Sequence, residues 1–134
     1  MAKTFKLEVI TPEKVVYNDT VQSITAEGTE GSFGVLADHA AMIAELQTGI
    51  LTISDVNNKT VRFALDGGFL EVNANNVIVL TDTCFKEDEV DVEKARSEKD
   101  AAEKALLKVG SDVGKEKAKA ALKRANTLLK LANK

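Results

Sequence analysis

The 134-residue chain has no tryptophan, and it has only one tyrosine (Tyr17), one histidine (His39), one cysteine (Cys84) and one proline (Pro12). A lone cysteine excludes an internal disulfide and a multi-cysteine metal site. With one His and one Cys, a nucleophile–base arrangement or a multi-histidine metal site lacks its partners. No window approaches the ~18 consecutive apolar residues that span a bilayer, so no direct membrane insertion is expected. Met1-Ala2-Lys3-Thr4-Phe5-Lys6 turns polar at once, so no secretory leader is expected either. An excess of positive charge is also missing. Lys and Arg number 18 against 21 Asp and Glu, a net charge of −3, which argues against a general nucleic-acid binder.

What is present is divided unequally. Residues 1–85 carry 5 basic and 11 acidic side chains, and residues 86–134 carry 13 basic and 10 acidic. Every aromatic, the proline and six of the eight glycines lie in the first part. So abrupt a shift predicts a structural boundary, placing one domain at 1–86 and a second at 87–134.

The first part predicts β structure. Phe5, Leu7 and Val9 alternate with Lys6 and Glu8, the period of a half-buried strand. Turns are expected at Thr11-Pro12-Glu13, Asn18-Asp19, Asp55–Lys59, Asp66-Gly67-Gly68 and Asn73–Asn76. Between them lie eight to ten short strands, which predicts a two-layer β-sandwich or flattened barrel.

The second part predicts an antiparallel α-helical hairpin, so the fold class is α+β. The first helix covers roughly Val92–Leu107, with Asp91 as its N-cap. Val109–Gly114 breaks the chain, and a second helix covers roughly Lys115–Ala132. In it Ala118, Ala121, Leu122, Ala125, Leu128, Leu129 and Ala132 form one face. The first helix answers with Val92, Ala95, Ala102, Ala105 and Leu106, interrupted by Lys99. Each methylene missing from an alanine forfeits about 0.8 kcal/mol of burial, so the hairpin is expected to be held weakly.

Few residues invite chemistry. Gly28-Thr29-Glu30-Gly31-Ser32-Phe33-Gly34 resembles a phosphate loop only in its glycines, because a strand-like segment follows where a helix is needed. His39 has no indicated nucleophile beside it. Cys84 is expected to be a buried, inert thiol. Lys115, Lys117, Lys119, Lys123 and Arg124 make the second helix basic, as a solvated face or as a dock for an acidic surface.

Taken together, the blocks Leu7–Glu13, Gly28–Leu36, Asp38-His39-Ala40, Gly49-Ile50-Leu51, Gly67–Val72 and Asn76–Asp82 resemble the ε subunit family of F-type ATP synthases (the δ subunit in mitochondria). Val90–Ala95 and Ala121–Ala125 resemble that family's two helices, so the resemblance spans nearly the whole chain. It departs at Ala41, where the family commonly has proline. The resemblance implies a non-catalytic rotor subunit of the central stalk, peripheral on the cytoplasmic face of the bacterial inner membrane. Implied partners are the γ subunit, the c-ring, and the α and β subunits when the hairpin extends to inhibit hydrolysis. Matching the family's loops gives Glu30, Ser32 and His39 as c-ring contacts. No cofactor is implied beyond ATP as a regulatory ligand in some members. Asp91, Lys94 and Arg124 are what remains here of that ATP motif, and N-capping and surface pairing are the other reading of them. Lys94 stands where those members have arginine, losing the bidentate fork suited to phosphate. Ala101, Leu128 and Phe85 replace charged residues of that motif. A rival reading is a free-standing helical-hairpin adaptor or chaperone outside any rotary enzyme.

Overall fold

The computed structural model describes residues 3–108 and 112–133. Seven strands come first: β1 (Phe5–Ile10), β2 (Val15–Gly28), β3 (Gly31–Leu36), β4 (Met42–Asp55), β5 (Thr60–Asn73), β6 (Asn76–Leu80) and β7 (Cys84–Lys86). A 3-10 turn at Glu87–Glu89 leads to α1 (Val92–Lys108) and α2 (Asp112–Asn133).

Strand β1 pairs antiparallel with β2 and parallel with β6. These pairings close the path β1-β6-β5-β4-β2 into a ring, the flattened barrel expected from the strand pattern. Strand β3 is added to β2, and β7 to β5. Inward side chains fill the barrel, with Leu7, Val9, Val21, Leu51, Ile53, Phe63, Leu70 and Val79 fully buried. The Tyr17 ring stands edge-on to Phe63, with centroids 5.9 Å apart.

The strands are fewer and longer than the eight to ten expected. Asn18-Asp19 is no turn: both residues pair with β1, opposite Glu8 and Leu7. Asp66-Gly67-Gly68 lies inside the 14-residue β5. Here the barrel turns a corner, and the buried set on β5 switches from Phe63 and Leu65 to Leu70 and Val72. Strand β4 switches at the same level, from Leu46 to Leu51 and Ile53. A change of parity within a continuous strand looks in sequence like a strand break. Gly68 is required at the corner: its φ is +128°, and a Cβ there would collide with the Leu80 carbonyl oxygen. The buried Thr81 hydroxyl ties the same corner by donating to the Gly67 carbonyl at 2.7 Å. The Asp55–Lys59 and Asn73–Asn76 turns form as expected. Ala74 and Asn75 at φ +49° and +64° make the second a tight hairpin turn.

Asp91 caps α1, its Oδ1 accepting from the Lys94 backbone N–H at 3.1 Å. The helices meet through the buried alanines Ala95, Ala102, Ala118 and Ala125. Helix α2 begins three residues before Lys115, because Gly114 continues the helix and does not stop it. The expected break at Val109-Gly110-Ser111 lies outside the described residues. Helix α2 is the inner one, packed on β4 and β5 as well as on α1. It therefore has a second face beside the alanine stripe, formed by Arg124, Thr127 and Leu131 and sharing Leu128 with the stripe, with Leu131 fully buried.

Candidate functional site

Strand β3 separates two turns. Glu30 and Ser32 are exposed at its start, where the Thr29 N–H donates to the Glu45 carbonyl at 3.0 Å. His39 lies beyond its other end, half-buried, with Nδ1 2.8 Å from the Ala40 carbonyl. Six extended residues span about 20 Å. The structure thus groups Glu30 with Ser32, and it sets His39 in a different cluster. There the Asp38 N–H donates to Asn75 Oδ1 at 2.6 Å, and Asn75 Nδ2 donates to Asp38 Oδ1 at 2.9 Å. Lys3 Nζ pairs with Asp38 Oδ2 at 2.9 Å. These donors, Asn75 first and then Lys3, hold the Asp38 carboxyl below its ordinary value.

A second feature lies on the outer face of β1, β6 and the halves of β4 and β5 beyond the corner. Register brings Glu45, Phe69, Leu80 and Ile10 into one row across four strands. The next row is Ile43, Glu71, Ile78 and Glu8. Ile43 is 74% exposed, Phe69 52% and Leu80 50%. A hollow of about 470 Å³ opens beside them, lined by Ile10, Pro12, Phe69, Leu80 and Asp82 among others. No motif marks this strip. Its signal is the run Val77-Ile78-Val79-Leu80, apolar on both faces of a strand whose outer face leaves Ile78 half-buried and Leu80 exposed.

The third feature is the seat of α2. Asp66 accepts from the Thr48 hydroxyl at 3.0 Å and lies 3.8 Å from the Arg124 guanidinium. Lys123 Nζ donates to Gln47 Oε1. Arg62 pairs with Glu87 at 2.9 Å and also donates to the Leu131 carbonyl at 3.5 Å. Beside this seat a cleft of about 380 Å³ brings Asp91, Lys94 and Arg124 together. Asp66, Glu89, Asp91 and Glu98 line it too, so four carboxylates face two cations. Phe85 and Leu128 supply apolar walls.

Burial first, then the Glu89 charge, pushes the Cys84 thiol up to about 12, which leaves it protonated and a poor nucleophile. No group of three or more His, Cys, Asp or Glu is placed to hold a metal among the described residues. What the molecule offers is surfaces.

Comparison with known proteins gives those surfaces a context. Residues 4–87 match the model of the ATP synthase delta/epsilon chain beta-sandwich domain, and residues 88–133 match that of the delta/epsilon chain long alpha-helix domain. The chain is 37% identical over 132 residues to the ATP synthase epsilon chain of Desulforamulus reducens, covering 98% of this chain and 99% of that one. Among solved structures, a chain of the Tetrahymena thermophila mitochondrial ATP synthase central stalk and c-ring superposes with a TM-score of 0.70 at 25% identity, covering 97% of each chain. A chain of the Euglena gracilis mitochondrial ATP synthase shares the fold with a TM-score of 0.86 at 24% identity, covering 98% of this chain and 82% of that one.

Proposed function

The chain belongs to the family of ATP synthase delta/epsilon chains, and from that premise we propose how each of its surfaces serves a rotor subunit. It is a non-catalytic epsilon subunit, which displaces the adaptor reading. The 1–86 barrel couples the γ subunit to the c-ring, and the 87–134 hairpin regulates.

The strip of Ile43, Phe69, Leu80 and Ile10 is the γ-docking face. The exposure of Ile43, Phe69 and Leu80 on neighbouring strands is the observation that supports this assignment, because adjacent uncovered apolar side chains mark a partner surface. Glu30 and Ser32 meet the polar loops of the c-ring. His39 belongs to the other turn cluster, and its contact there is a separate one.

The hairpin has two positions. Seated, it lies on β4 and β5 as described; extended, it reaches the α and β subunits and opposes hydrolysis. Its hold supports exchange between the two, since small alanines join the helices and a few polar contacts beside the Leu131 turn join them to the barrel. The cleft gathers Asp91, Lys94 and Arg124, yet its lining disfavours ATP. Four carboxylates repel a triphosphate, Asp66 already engages Arg124, and Asp91 is used as a cap. The subunit is peripheral on the cytoplasmic face of a bacterial membrane, reached through its partners. No described helix is long and apolar enough to cross a bilayer.

Removing residues 89–134 tests the regulatory part. In the assembled enzyme the deletion raises the ATP hydrolysis rate several-fold while the subunit stays bound. An unchanged rate would reduce the hairpin to a brace.

A further inference from the structure

We infer that Arg62 is a latch that ties both ends of the hairpin to the barrel and sets how readily it leaves its seat. Arg62 stands on the outer face of β5, and its side chain is only 21% exposed. Its Nε pairs with Glu87 in the 3-10 turn where the barrel hands over to the helices. Its Nη2 donates to the carbonyl of Leu131, in the last turn of α2. One guanidinium therefore holds the chain where it leaves the barrel and where the second helix returns to it.

Four physical points support the assignment. The last four carbonyls of a helix have no intrahelical donor, and Leu131 is among these in a helix ending at Asn133, so Arg62 fills an unmet acceptor. A cation at that helix end also faces the negative pole of the helix dipole. The planar fork of arginine is what allows two acceptors in different directions, and lysine has no equivalent. The Leu131 side chain, fully buried, fixes the same turn from the apolar side. Swinging the hairpin about Glu87–Glu89 would part Leu131 from Arg62, while Glu87, at the pivot, keeps the guanidinium aimed at the seat for the return. This inference concerns the free chain and does not depend on the partners assigned above.

Hydrogen–deuterium exchange on the intact chain tests it. Arg62→Gln keeps a polar, hydrogen-bonding side chain but shortens it and removes its charge and fork. It raises exchange across residues 112–133 about tenfold and leaves β1 and β6 unchanged. Arg62→Lys falls short of restoring wild-type protection, and Glu87→Gln, which spares β5, gives a smaller rise in the same helix. High salt loosens α2 in the wild type more than in Arg62→Gln. Unchanged α2 protection in both Arg62→Gln and Glu87→Gln would overturn the latch. So would an equal loss of protection in β1 and β6, which would make Arg62 a general support of the barrel.

Discussion

The Asp66 carboxylate on β5 lies 3.8 Å from the Arg124 guanidinium on α2, held there by the Thr48 hydroxyl at 3.0 Å. The basic residue that sequence resemblance offers to a nucleotide is thus already engaged by an acid of the same chain. ATP at about ten times its dissociation constant would stabilise a protein by roughly 1.4 kcal/mol. We expect millimolar ATP to leave the melting temperature of the free subunit unchanged. An upward shift of several degrees would show that the cleft binds nucleotide despite its carboxylates.

Gly68 and Gly34 form a contrasting pair. Gly68 combines a left-handed φ with a clash against the Leu80 backbone, whereas a Cβ at Gly34 would sit an ordinary 3.6 Å from the Ile24 carbonyl. Gly68→Ala should destabilise the barrel by about 3 kcal/mol or more, and Gly34→Ala by less than about 1 kcal/mol. Urea denaturation of both variants measures the difference.

Leu131→Ala removes the one fully buried leucine on the barrel-facing stripe of α2. Large-to-small changes at such sites cost about 2–5 kcal/mol. Because the loss falls on the seat, limited proteolysis should cut α2 faster while the barrel resists as before.

The Asp38 clasp responds to acid. Its carboxyl is held low by Asn75 and Lys3, so its contribution to stability is present above the ordinary carboxylate pKa of about 4 and is lost as pH falls through the lower folded value. Between pH 6 and pH 2.5 the wild type should lose more stability than Asp38→Asn, read from melting curves. Parallel losses would mean that the clasp holds nothing.

Cys84 should be silent in the native protein. With its thiol raised to about 12, alkylation at pH 8 should be slow until denaturant is added and rapid afterwards. Fast native labelling would mean the strand end opens readily.

Much of this was legible in the residues. The Phe5-Leu7-Val9 alternation, the Asp91 cap and the alanine faces of both helices occur where local pattern places them, because each depends on near neighbours. The barrel corner was not legible, since a parity change at Gly67-Gly68 within a paired strand mimics a turn. Nor was the second face of α2: Arg124, Thr127 and Leu131 look like solvent positions until β5 is set against them. The separation of His39 from Glu30 depends on β3 running straight between them, which spacing alone does not reveal. The Phe69–Leu80–Ile10 row exists only through pairings across three strands.

The central claim is that this subunit docks on the central stalk through that row. Titrating the purified chain into the cognate ATP synthase head-and-γ complex stripped of its own epsilon subunit tests it most directly, with Phe69→Glu alongside. The account expects saturation at one copy per complex for the wild type and at least a tenfold loss of affinity for Phe69→Glu. Absent binding by the wild type, or equal binding by a folded Phe69→Glu, would contradict it.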